Sequence, residues 1–140
     1  MKRDIHAVLF DMDGLLLDTE SVVLECFREA CAAQGLTKKE HVFYHCIGLR
    51  RVDSWFVLER ELGNLLDLDL FDADWDRRIN ARLSKQVPVK PGVEQLLKYL
   101  GETGVPTVVA TSTPTDIAVA NLKMAGLFDY IKAVLGGEQV

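Results

Sequence analysis

The sequence predicts an α/β fold, a parallel sheet of three strands interrupted after its first strand by a long α-helical insertion. Three observations lead there. An apolar run, Ile5–Phe10, stops abruptly at Asp11-Met12-Asp13-Gly14. No strand pattern can be defended between Phe10 and Thr107, although His41–Ile47 is ambiguous. From Pro91 onward, helical and strand periods alternate. That alternation is the mark of a doubly wound, Rossmann-like parallel sheet with right-handed crossovers, here a partial one.

The elements follow in order. The apolar run Ile5–Phe10, interrupted only by His6, implies a strand buried on both faces. A helix is expected over Ser21–Gln34, with Val23, Phe27, Ala30 and Cys31 on one stripe and Gly35 as its stop. A second covers Val52–Leu62, placing Trp55, Leu58 and Leu62 on one side. A third covers Ala73–Lys85, where Trp75, Ile79 and Leu83 recur while Arg77, Arg78 and Arg82 face solvent. Asn64–Asp72 reads equally as a short helix or a loop. Pro88-Val89-Lys90-Pro91-Gly92 punctuates the chain. Beyond it come a helix from Val93 to near Gly104, a strand Pro106–Ala110, a helix Thr115–Ala125 and a strand Ile131–Leu135.

Composition narrows the function classes. The 140 residues are enough for one sizeable core, and 49% hydrophobic with 26% charged residues describes a globular chain, not a disordered one. The net charge is −5 and no lysine/arginine block occurs, which argues against nucleic acid as a partner. Cys26, Cys31 and Cys46 make an odd count without a CxxC pair, as expected of packed thiols in a reducing compartment. The run after Met1-Lys2-Arg3 is too short and too acidic for a signal peptide, and nothing approaches a membrane span. A cytoplasmic location is the expectation.

The chemistry concentrates at two strand ends. Asp11 and Asp13 flank one residue where the first strand gives out and Gly14 can turn the backbone. Ligands bind at that edge of open α/β sheets. Two carboxylates there can hold a divalent cation, or one can attack while the other handles protons. At the end of the second long strand, Thr111-Ser112-Thr113-Pro114 supplies three hydroxyls. Thr113 with Asp116 fits a capping box with Pro114 in the first helical turn, and a helix N-terminus there would attract an anion.

The string Asp11-Met12-Asp13-Gly14-Leu15-Leu16-Leu17-Asp18-Thr19-Glu20 resembles the first motif of the haloacid dehalogenase superfamily. The whole string is similar to that of the helical-cap subgroup of sugar-phosphate phosphatases, phosphoglycolate phosphatase and β-phosphoglucomutase. The resemblance implies a magnesium-dependent phosphatase working through an aspartyl-phosphate on a small phosphorylated metabolite. Asp11 would be nucleophile and metal ligand. Asp13 would be general acid/base and give the metal its backbone carbonyl. The segment around Thr111 resembles the second motif, so the Thr111 hydroxyl and the Ser112 N–H would hold the phosphoryl group. Residues 1–16 and 86–140 would form the partial core and 17–85 the helical cap, a lid that excludes water. Gly48-Leu49-Arg50-Arg51 resembles a substrate-facing cap loop, with Arg51 reading a second anionic or hydroxyl-rich group.

The chain departs from that family where its lysine motif and second acidic motif would follow. Neither occurs, which implies a truncated form with doubtful turnover and a first strand whose edge is open to self-association. A catalytically incompetent binding or assembly module, or a phosphotransferase like β-phosphoglucomutase, are the alternatives. His41 and His45 have helical metal-ligand spacing but no third ligand in sight.

Overall fold

The computed structural model describes residues 4–139. They fall into two compact units, one made of the residues up to Glu20 with those from Gln86 onward, the other Ser21–Lys85.

The first unit carries the sheet. Strands β1 (Val8–Phe10), β2 (Thr107–Ala110) and β3 (Ala133–Leu135) lie in the order β1-β2-β3, all parallel. Phe10 pairs with Val109, and Val109 with Val134, so the carboxyl ends of the strands are level. The helix preceding β2 spans Val93–Glu102, and the one preceding β3 spans Thr115–Met124. The first opens at Gly92, whose φ of 84° suits a residue without a β-carbon, and buries Val93, Leu97 and Leu100 at helical spacing. Thr107 is buried in β2, and its hydroxyl donates to the Tyr130 carbonyl at 2.5 Å, so its polarity is satisfied.

The first strand differs from expectation. It is shorter than Ile5–Phe10 and is not buried on both faces: Ile5 is 68% and Leu9 66% exposed. An apolar run is buried only where a neighbouring layer covers it. Among the described residues β1 is an edge strand with β2 as its sole neighbour.

The second unit is helical. Its members are α1 (Thr19–Ala33, whose first two residues belong to the first unit), α2 (Glu40–Cys46), α3 (Arg51–Leu62) and α4 (Leu68–Leu83). In chain order, Val93–Glu102 is then α5 and Thr115–Met124 is α6. Phe27, Ala30 and Cys31 of α1 meet Val42, Phe43 and Cys46 of α2, with Leu58, Leu62 and Phe71 completing the core. The Trp75 indole N–H donates to the Val23 carbonyl at 3.0 Å, so the ring packs against the core with its one polar atom bonded.

Three local readings change here. The ambiguous His41–Ile47 stretch is largely α2. Helix α4 starts at Leu68, not Ala73, because the Asp67 carboxylate caps it by accepting from Leu70 N at 3.0 Å. Arg78 and Arg82 do not simply face solvent: they donate to the Glu29 carboxylate of α1 at 2.9 and 2.5 Å. Arg78 also holds Asp74, four residues back on α4, at 2.8 Å, but Glu29 lies on another helix, invisible to a periodicity confined to α4.

Candidate active site

Met12 is fully buried, and it organises the turn after β1. Its carbonyl accepts from Leu16 N (3.0 Å) and Leu17 N (3.1 Å), while Gly14 N donates back to the Leu17 carbonyl at 2.8 Å. Gly14 has φ 77°, and a β-carbon there would lie 2.6 Å from Glu20 Cδ. The turn therefore closes tightly at a residue without a side chain. Asp11 is exposed and Asp13 half-buried.

The two aspartates have different surroundings. Asp11 Oδ1 accepts the Met12 N–H at 2.8 Å, and that is its only side-chain hydrogen bond among the described residues. Asp13 is clamped through both oxygens. Thr19 Oγ1, itself buried, donates to Oδ1 at 2.6 Å, and Thr113 Oγ1 donates to Oδ2 at 2.7 Å. The Thr111 hydroxyl stands 3.4 Å from the same Oδ2 and accepts the Thr113 N–H at 3.2 Å. A hydroxyl can either donate or accept, so both partners of Asp13 are adaptable ones.

The ladder brings the second cluster to the first. Phe10 pairs with Val109, which puts Asp11 level with Ala110 and one residue short of Thr111. Thr111 is buried, and its N–H donates to the Leu135 carbonyl at 3.0 Å. Ser112 is exposed, and its N–H has no acceptor among the described residues, leaving it available to an anion. Asp11, Asp13, Thr111 and Ser112 thus share one sheet edge.

Two expectations at this edge are corrected. Thr113 is not the cap of α6: that position falls to Pro114, no side chain caps it, and Asp116 accepts the adjacent Ile117 N–H instead. The Thr113 hydroxyl is drawn away by Asp13, a stronger, charged acceptor. The N-terminus of α6 is also not free for an anion. The Glu138 carboxylate already accepts from Thr115 N at 3.1 and 3.2 Å, and hydrogen bonds from Thr115 hold its carboxyl below the ordinary glutamate value.

Arg51 lies in the helical unit, at the first residue of α3. Its guanidinium grips Asp76 through both oxygens, at 3.0 and 2.7 Å, and Asp72 at 2.8 Å. The Asp76 hydrogen bonds first, and then the nearby Asp72, push its pKa up. His41 and His45 stack edge to face with centroids 6.2 Å apart. Among the described residues no group of three or more His, Cys, Asp or Glu is arranged to hold a metal ion.

A magnesium ion fits the aspartate cluster by donor type. Magnesium takes hard oxygen ligands, keeps several waters and needs only one or two protein carboxylates beside a phosphate. Asp11 offers an exposed oxygen. Asp13, with both carboxylate oxygens taken by hydroxyls, has its main-chain carbonyl to offer.

Thr19 and Thr113 are the site residues that sequence reasoning missed. Thr19 is the last residue but one of the Asp11–Glu20 motif and was readable only as part of that string. Thr113 carried a local signal for a helix cap, which concealed its distant partner.

Comparison with known proteins adds a family to this geometry. A family model described as haloacid dehalogenase-like hydrolase matches residues 8–140. The chain is 27% identical over 136 residues to a phosphorylated carbohydrates phosphatase of Thermotoga maritima, covering 97% of this chain and 63% of the relative. It is likewise 27% identical over 146 residues to a phosphoglycolate phosphatase of Rhodobacter capsulatus, covering 96% and 63%. Among solved structures, a putative β-phosphoglucomutase from Thermotoga maritima superposes with a TM-score of 0.73 at 27% identity, over 96% of this chain and 62% of that one. The chain therefore spans under two thirds of the length of these relatives.

Proposed function

This chain belongs to the haloacid dehalogenase-like hydrolase family, and we propose that its aspartate cluster performs magnesium-dependent phosphoester hydrolysis on a small phosphorylated metabolite of the sugar-phosphate kind. The observation that carries the reading is the difference between the two acids. Asp11 is exposed with one oxygen uncommitted, as a nucleophile requires, and Asp13 is held through both oxygens by hydroxyls that tolerate either protonation state.

The steps follow from that division. Asp11 attacks phosphorus in line, and the phosphorus–oxygen bond to the leaving alkoxide breaks as Asp13 gives that oxygen its proton. Asp13, now a carboxylate, takes a proton from water. The water oxygen attacks the aspartyl-phosphate, freeing phosphate and restoring Asp11. The Ser112 N–H donates to the equatorial oxygens, where charge accumulates, and Thr111 joins it when its hydroxyl turns from Asp13. Magnesium, held by Asp11 and the Asp13 carbonyl, would offset the repulsion between carboxylate and phosphate.

The substrate class rests on the names of the relatives, one of which acts on phosphorylated carbohydrates. The helical unit would serve as the cap, with Arg51 exchanging Asp72 and Asp76 for substrate oxygens. Three buried, free thiols suit the cytoplasm, and among the described residues no helix is long and apolar enough to cross a membrane. A mutase would differ only in passing the phosphoryl group to a sugar hydroxyl.

Intact-mass spectrometry after incubation with acetyl phosphate and magnesium tests the reading. One added phosphoryl group is expected, retained in Asp13→Asn and absent in Asp11→Asn. Label persisting in Asp11→Asn, or absent from every form, would overturn it.

A further inference from the structure

The helical unit holds a cavity of its own, of about 290 Å³. Phe27, Cys31 and Leu36 make its apolar wall, the first two almost wholly buried. Arg28, Lys38, Lys39 and Glu40 complete the lining from the polar side. The volume falls just below the usual range for ligand pockets, roughly 300–1,000 Å³, which calls for a small molecule.

We propose that this cavity binds a small monocarboxylate with an apolar body, aryl or medium-chain alkyl, its tail against Phe27, Cys31 and Leu36 and its carboxylate against the Lys38 and Lys39 ammonium groups. No residue is shared with the aspartate cluster, so the proposal is independent of the phosphatase reading.

Charge is the first support. The chain as a whole carries −5, yet this rim sets three cations against a single acid. That acid, Glu40, is already paired with Arg28 at 3.1 Å. Lys38 and Lys39 have no ion pair among the described residues, so two positive charges stand uncompensated beside an apolar wall. The backbone is the second support. Lys38 has φ 59° and is the one non-glycine residue with positive φ among those described. A lysine held in the left-handed region is disfavoured by its own β-carbon, and such strain collects at binding sites.

The wall decides the rest of the ligand. Burial pushes the Cys31 thiol up to about 11, so it stays protonated at neutral pH and sets no anion against the carboxylate. Arg28, the one guanidinium fork at the rim, is committed to Glu40, which leaves two point charges. Beside an apolar wall a singly charged carboxylate costs less to strip of water than a phosphate dianion, which favours the single charge.

Titration of the isotope-labelled chain with 4-phenylbutyrate, followed by amide NMR, tests this. Saturable shifts are expected within residues 27–40, with affinity at least about tenfold weaker for the neutral analogue 4-phenyl-1-butanol and for the K38E/K39E double variant. Equal affinity for acid and alcohol, unchanged affinity in K38E/K39E, shifts centred elsewhere, or no saturable shift would each overturn it. The acid–alcohol comparison uses the unaltered chain, so it decides the matter even if the double variant fails to fold.

Discussion

Thr113 donates its hydroxyl to Asp13 Oδ2 at 2.7 Å, joining residues 100 positions apart in the sequence. A hydrogen bond to a charged group contributes about 1.5–3 kcal/mol. If it holds Asp13 for proton transfer, Thr113→Val should lower kcat by roughly ten- to a hundredfold with little change in KM. Thr113→Ser, which keeps the donor, should restore most of the rate. Steady-state kinetics on a phosphorylated sugar reads both, and a Thr113→Val enzyme with unaltered kcat would remove Thr113 from the mechanism.

Gly14 should be intolerant of any side chain. Its φ of 77° costs an L-residue about 1–2 kcal/mol. A β-carbon would also meet the Glu20 carboxylate at 2.6–2.8 Å. Thermal denaturation of Gly14→Ala should show a loss of at least that size. Adding Glu20→Ala should relieve the contact but leave the backbone cost, so the double variant should recover only part of the stability.

Phe27 anchors the helical unit. Its ring meets Phe71 and Trp75 edge-on, both with centroids 5.4 Å apart, and Phe43 at 5.9 Å. Phe27→Ala removes all three contacts and deletes a buried ring from the core, for a loss of about 3–5 kcal/mol. Urea unfolding followed by tryptophan fluorescence should place the midpoint well below that of the parent chain.

Acid should loosen the same unit through Glu29 and Asp74. The Arg82 hydrogen bond first, with Arg78, holds the Glu29 carboxyl below its ordinary value, and Arg78 and Arg77 do the same for Asp74. A carboxylate with a depressed folded pKa adds stability that is complete above its unfolded value and is lost as pH falls through the folded one. The loss should therefore begin near pH 4.5, the ordinary glutamate value, and deepen below it. Glu29→Gln should be less stable than the parent at neutral pH and should lose less on acidification. Parallel pH profiles for the two would contradict this.

Much of the architecture was legible because it is written in local periods. The Phe27, Ala30 and Cys31 stripe, the Gly92 stop before α5 and the end of β2 at Ala110 need only neighbours in sequence. What escaped depends on partners far along the chain. Arg78 and Arg82 read as solvent-facing until Glu29 on another helix is placed beside them. Thr113 read as a cap because Pro114 and Asp116 are adjacent and Asp13 is not. The β1 run read as buried because an apolar sequence records which side chains could be covered, and Leu9 has nothing over it. Arg51, placed by resemblance, turns out to be held by two acids of α4, neither of which its own loop hints at.

That exposed first strand gives Asp11 a lopsided footing. Val8 donates to the Pro106 carbonyl, and in a parallel ladder the next residue turns its amide the other way, so Leu9 points its N–H and C=O outward from β2. Deuterium should enter at Leu9 long before it enters at Val8 or Phe10. The peptide leading into the Asp11 carboxylate is thus braced along one flank alone, and whatever strand came to lie on the other would stiffen that carboxylate's footing without touching it.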